Sequence, residues 1–284
     1  MKPIKWVIFT DLDGTFLDPV DYSYEPARPF VEKFRQAHIP IVFCSSKTRA
    51  EIDALRRELG LRDPFIAENG AIICMEKNYF PFEIEHQGER GGQWTIELGE
   101  PHGLLVTALH QARLYSGCEI GEFSKLSVEE MKKVTGLSDD KVELARRREF
   151  DEPFWFLTPD QALRKKFIKE IRKQGLRVTK GNRFYHIKGR ADKGRAVSIV
   201  MSLFLRWMSG IRFIGLGDSL NDLPMLRVVD FPILLRGSDG EWNREIMSAI
   251  PHVLPAPASA PKGWAVCILP LVSGDLNGRS LAED

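Results

Sequence analysis

Three strongly apolar runs in this chain of 284 residues stop abruptly at polar clusters. KWVIFT (5–10) runs into DLDGT (11–15), IPIVFC (39–44) into SSKTR (45–49), and IRFIGLG (211–217) into DSLND (218–222). A run with no polar alternation suits a strand covered on both faces, which is the habit of parallel sheets. Helical patterns lie between them: 25–37 with Phe30, Val31 and Phe34 on one face, 49–60 closed by Gly60, 192–207, and a short one at 221–229. PFIAENGAII (64–73) reads as a further strand broken at Asn69-Gly70, and FPILLR (231–236) as another. Strand and helix in alternation predict an α/β fold, a doubly wound parallel sheet.

The middle of the chain has a different character. From about Glu83 to Gly189 the apolar runs give way to short amphipathic elements. Residues 157–175 predict a helix with Thr158 as N-cap, Pro159 at its first position, Gln161 closing a capping box, and Phe167, Ile168 and Ile171 as its apolar stripe. Residues 176–189 read as a hairpin turning at Gly181-Asn182. The expected organisation is a core domain of residues 1–83 and 190–284 with an α+β domain, 84–189, inserted in it. PAPASAPKG (255–263) reads as an irregular connector, and the last ten residues as polar and loose.

Composition bounds the partners. A formal net charge of +1 creates no overall field toward nucleic acid or anionic lipid. The longest apolar stretch, 196–205, is about half of a membrane span. With no apolar signal region after Met1, and with Cys44, Cys74 and Cys267 in apolar runs, a cytoplasmic protein with buried thiols is expected.

In open parallel sheets, ligands gather at the carboxyl ends of strands, so the three polar clusters are expected to converge. Asp11 and Asp13, Ser45 and Ser46, and Asp218, Asn221 and Asp222 would meet there, joined by Lys193 at a helix start. Acids gathered with a lysine and a hydroxyl suggest a metal ion and a phosphate together; hard oxygen ligands select Mg²⁺. Taken singly, DxDG is often a solvated turn, Lys193 a surface lysine, and GLGDSLND a weak echo of a dinucleotide loop that lacks the third glycine. Their coincidence at strand ends and a helix start outweighs those readings.

In this order, DLDGT, the strand ending at Ser45, DKG (192–194) and GLGDSLND (215–222) resemble the four motifs of the haloacid dehalogenase-like phosphatases, and the insert resembles that superfamily's larger α+β cap. SSKTRAE (45–51), ENGA (68–71), RREFDEPF (147–154) and GLGDSLNDLPML (215–226) are similar to the mannosyl-3-phosphoglycerate phosphatases. The resemblance implies that Asp11 is the nucleophile and becomes an aspartyl-phosphate, and that Asp13 is the acid and then the base. Asp11, the carbonyl of Asp13, Asp218 and Asp222 would hold Mg²⁺, with Asn221 supporting. Ser45, Ser46 and Lys193 would bind the phosphoryl oxygens. The implied substrate is a small phosphorylated sugar-glycerate.

An arginine fork suits a carboxylate, and acids suit sugar hydroxyls. Lys47, Arg147, Arg148 and Glu149 are therefore the expected substrate residues, with Thr48, Arg49 and residues 182–186 behind them. RGSDGEW (236–242) departs from the Lys-Pro-Asp-Gly-like stretch expected there. A receiver-like phosphate-binding module also uses clustered acids and a lysine, but Asp13 beside Asp11 and a whole cap speak against it.

Overall fold

The computed structural model describes residues 5–180 and 184–277. The chain enters through strand β1 (Trp6–Thr10), helix α1 (Arg28–Gln36), β2 (Ile41–Phe43), α2 (Arg49–Glu58) and β3 (Phe65–Ala67). It then forms β4 (Ile72–Glu76), β5 (Gly88–Arg90) and β6 (Gln93–Glu97). Next come α3 (His102–Ser116), β7 (Ile120–Glu122), α4 (Val128–Thr135), α5 (Asp139–Ala145), β8 (Glu152–Phe156), α6 (Gln161–Lys173), β9 (Arg177–Lys180) and β10 (Tyr185–Lys188). The return runs through α7 (Lys193–Trp207), β11 (Arg212–Gly217), α8 (Leu223–Leu226), β12 (Phe231–Arg236), α9 (Arg244–Ala249), β13 (Leu254–Ser259) and α10 (Lys262–Asn277).

Among the described residues, the core sheet runs β13-β12-β11-β1-β2, with all neighbours parallel. Successive residues of β1 feed opposite faces. Trp6 and Ile8 join a cluster with Phe34 of α1 and Trp264 of α10, while Val7 and Phe9 join one with Val197 and Val200 of α7. The doubly wound expectation is met, and burial on both faces explains the unbroken apolar runs.

Three local expectations are corrected. Residues 254–259 form strand β13 at the sheet edge, paired with β12. Proline cannot donate to a ladder, but an edge strand needs only one bonded side, and Ala256 packs inward from it. The cap of α6 is Asp160, whose carboxylate accepts from the N–H groups of Ala162 and Leu163; Thr158 instead accepts from Glu119 N at 2.7 Å. Residues 64–73 form two antiparallel strands, β3 and β4, reversing at Glu68–Gly70.

Strand β3 still continues the core beyond β2, through a parallel bridge from Cys44 to Ile66. Strands β5 and β6 pair antiparallel after β4, and Ile96 packs in the Val7/Phe9 cluster. We therefore propose that the core extends to about residue 100, past the expected boundary at 83. The insert is the antiparallel sheet β7-β8-β10-β9, with Leu105 and Leu109 of α3 and Phe167 and Ile171 of α6 packed in one cluster with Phe154 and Ile187 of the sheet. Its expected turn at Gly181-Asn182 lies outside the described residues, as do positions 278–284. Cys44, Cys74 and Cys118 are buried, and Cys267 is only partly so. No helix among the described residues is long and apolar enough to cross a membrane.

Candidate active site

Strand β1 ends by handing its backbone to β11, with Asp11 N donating to Leu216 O at 2.9 Å. The carbonyl of Asp11 accepts from Thr10 Oγ1, which is itself held by the indole N–H of Trp264. A rigid apolar wall thus fixes where the first acid stands. Gly14 follows at φ +81°, and a Cβ there would lie 2.7 Å from Asp218 Oδ2, so only glycine lets this turn close on the β11 loop.

The carboxylates of Asp11, Asp218 and Asp222 come together within 4.8 Å and are all buried. Lys193, the first residue of α7, reaches into them with Nζ 2.6 Å from Asp11 Oδ1 and 2.5 Å from Asp222 Oδ1. Burial opposes the lysine's charge, but Asp11 and Asp222 outweigh it and hold the ammonium protonated. Burial, then Asp222, push Asp11 up to about 7 against the pull of Lys193. The same burial, with Asp222 and Asp11, raises Asp218 well above the ordinary range. One cation is too little for three buried acids. The surplus negative charge and the all-oxygen donor set fit a hard divalent ion such as Mg²⁺.

Within this set, Asp222 has a second task. Its Oδ2 accepts from the N–H groups of Asp218 and Ser219, both at 3.1 Å, so it shapes the loop that presents Asp218. Asn221 donates to Asn69 Oδ1 at 3.2 Å, tying that loop to the turn after β3. Asp13 points elsewhere: its Oδ1 pairs with Lys47 at 3.0 Å, and Lys47 also lies over the Tyr22 ring. Ser45 is fully buried, its hydroxyl accepting from Lys47 N at 3.3 Å, whereas Ser46 lies on the cavity wall.

A cavity of about 330 Å³ opens between core and insert, and Asp11, Asp13, Ser46, Lys47, Asn221 and Asp218 line its floor. Opposite them stand Arg148, His186, Thr179, Lys180 and Phe184. Of the arginine run, only Arg148 is on the wall. Its Nη1 donates to Ser46 O at 2.9 Å and to Asp151 Oδ2 at 3.2 Å, and His186 takes the same carboxylate oxygen at 2.8 Å. Burial works against the Asp151 charge, but His186 and Arg148 outweigh it and hold the carboxyl below its usual range. Arg147 is exposed and away from the cavity. Glu149 is away from it too, bound to Arg49 at 2.8 Å and Arg90 at 3.0 Å. Helix α5 ends at Ala145, and the bend after it turns one arginine inward and leaves its neighbours outside.

Glu68 was legible only as part of ENGA, yet it joins the two units. Its fully buried carboxylate accepts from Glu149 N at 2.9 Å and Phe150 N at 2.7 Å. Glu68 and Asn69 have φ of +49° and +59°, and their N–H groups donate to the carbonyls of Lys47 and Ser45. That left-handed pair aims one side chain at the insert and the other at the β11 loop. A Cβ on Gly70 would lie 2.2 Å from Asp192 O, so the turn sits against the start of α7.

Burial raises Glu68 to about 7, outweighing Arg148 and its backbone donors. The folded state therefore binds a proton that the unfolded chain has lost. Stability from this group is full below about 4.5 and is lost as pH rises toward 7, by on the order of 3 kcal/mol. Thermal unfolding of Glu68→Gln should show a flatter pH dependence across that window than the parent; an identical slope would remove Glu68 as its source.

Comparison with known proteins shows the family. The family of haloacid dehalogenase-like hydrolases matches residues 8–241. A Methanococcoides burtonii protein named glucosyl-3-phosphoglycerate/mannosyl-3-phosphoglycerate phosphatase is 39% identical over 96% of this chain and all of its own. A Pyrococcus furiosus mannosyl-3-phosphoglycerate phosphatase is 37% identical over 87% of this chain and 98% of its own. In fold, the chain is similar to a Thermoplasma acidophilum structure (TM-score 0.64, 17% identity, 96% and 98% covered). A haloacid dehalogenase-like hydrolase from Bacteroides thetaiotaomicron is equally close (0.64, 16%, 94% and 99%). With its acids, lysine and cap in these places, the chain belongs to the haloacid dehalogenase-like hydrolases, as a phosphoric monoester hydrolase resembling the mannosyl-3-phosphoglycerate phosphatases.

Proposed function

We propose that this enzyme hydrolyses mannosyl-3-phosphoglycerate to mannosylglycerate and phosphate, with glucosyl-3-phosphoglycerate as a second substrate. The observation that carries the reading is a buried nucleophile-and-lysine centre under a cap, in a chain 39% identical to a protein named for both substrates. Asp11 attacks phosphorus with one carboxylate oxygen, and the ester P–O bond breaks as the aspartyl-phosphate forms. Asp13 gives its proton to the departing glycerate oxygen, then takes one from the water that opens the acyl phosphate. That second displacement returns Asp11 as a carboxylate and releases inorganic phosphate.

Lys193 supplies fixed positive charge to the phosphoryl oxygens, and the loop of Ser45 and Ser46 supplies donors. Asp11, Asp218, Asp222 and the carbonyl of Asp13 would hold Mg²⁺, which would supply neutralising positive charge to the phosphoryl oxygens. Lys47 keeps Asp13 over the cavity, and the cap wall of Arg148 and His186 encloses the sugar side.

A phosphate-release panel tests the assignment. The two glycosyl-3-phosphoglycerates should exceed sucrose phosphate and simple hexose phosphates in kcat/KM by at least about 10-fold, because a substrate without the matching group leaves buried polar groups of the site unpaired. A preference for sucrose phosphate or a hexose phosphate would sink the assignment while leaving the phosphatase chemistry intact.

A further inference from the structure

A second recess of about 140 Å³ opens between the loop after β1 and the loop after β12. It is lined by Gly14, Asp18, Arg236, Gly237 and Ser259 among others, and it shares Pro19 and Ser238 with the main cavity, so the two adjoin. Arg236 sits over the Trp242 ring, its Cζ 4.1 Å from the centroid, and its Nη1 donates to Gly240 O at 3.0 Å. Its Nε is buried with no partner, and no acid pairs with it among the described residues. Asp18, the acid on the wall, spends Oδ1 on the N–H groups of Val20 and Asp21.

The buried cations of the main cavity are each paired with an acid: Lys193 with Asp11 and Asp222, Lys47 with Asp13, and Arg148 with Asp151, although the Arg148 Nε, like that of Arg236, has no partner. We propose that the Arg236 recess is the subsite for the substrate's carboxylate. This rests on the glycerate reading above and moves the carboxylate from the cap, where the arginine run suggested it, to the core. A guanidinium already held over Trp242 and tied to Gly240 O gives up little rotamer freedom on meeting a planar anion, and no acid among the described residues pairs with its charge. Size agrees: about 140 Å³ is the liquid volume of about five waters, room for a carboxylate, while a hexosyl group needs the larger cavity.

The test is steady-state kinetics on D-3-phosphoglycerate and glycerol 3-phosphate, which differ by a carboxylate against a hydroxymethyl group. Wild type, Arg236→Gln, Arg236→Lys and Lys180→Gln are compared, since exposed Lys180 is another cation on the main cavity wall. Arg236→Gln should lower kcat/KM on phosphoglycerate at least about 10-fold, mainly through KM, and change glycerol 3-phosphate by less than about 2-fold. Arg236→Lys, which keeps charge without the fork and is the milder change for folding, should fall between.

Equal losses on both substrates, or the selective loss appearing in Lys180→Gln instead, would overturn the subsite. If wild type itself shows no preference for the carboxylate-bearing ester, the glycerate reading fails and the subsite with it. A preference left untouched by Arg236→Gln defeats the subsite alone.

Discussion

Asp11→Asn should abolish turnover, lowering kcat by at least about 10⁴-fold, because no other carboxylate in the cavity floor can take its place as nucleophile. Asp13 is held toward Lys47, Asp218 accepts from the Thr15 hydroxyl, and Asp222 accepts from the main-chain amides of the β11 loop. The same change should leave the fold intact and the melting temperature equal or higher. Asp11 is buried beside Asp222, and a neutral side chain of the same shape removes the like-charge cost while still offering Lys193 an oxygen. The two readouts together discriminate. Lost activity with a lowered melting temperature would make Asp11 a structural partner of Lys193, and activity near the parent's would show that Asp11 is not the nucleophile.

Removing divalent cations should be nearly as severe. In excess chelator the rate is expected to fall to background and to return on adding Mg²⁺. Asp218→Ala should raise the Mg²⁺ concentration for half-maximal rate by at least about 10-fold, because it deletes one of three clustered carboxylates. Zn²⁺ should not substitute for Mg²⁺, since no histidine or cysteine joins the cluster among the described residues. A rate that survives thorough chelation would end the proposed role of Asp218 and leave Lys193 as the only counter-charge.

The parts that sequence made legible share a physical cause. A strand buried on both faces has no polar residues to spare, so β1, β2 and β11 stand out, and whatever follows them marks the rim where ligands bind. Asp11, Ser45 and Asp218 are read from that boundary alone. The illegible parts depend on the third dimension. Strand β13 was hidden because Pro255 and Pro257 look like connector residues until an edge position leaves their missing N–H groups without consequence. Strand β5 is short and partly exposed, and only the pairing of β6 with β4 and of β5 with β6 carries the sheet past the expected boundary at 83.

In the cap, three consecutive arginines look equivalent. The bend after α5 makes Arg148 a wall residue and leaves Arg147 in solvent. Glu68 gave the weakest signal of all, since nothing in ENGA announces a left-handed backbone that turns a carboxylate toward another domain.

That carboxylate grips main-chain amides, and amides are the same whatever residue carries them. The Glu68 clasp itself is thus blind to which side chains stand at 149 and 150, although Glu149 adds its own ion pairs to Arg49 and Arg90 and Phe150 packs into the core. Substitutions elsewhere in the cap leave this main-chain clasp in place, and the phosphate centre need not be re-tuned each time. A lineage can inherit one reaction and still explore new leaving groups.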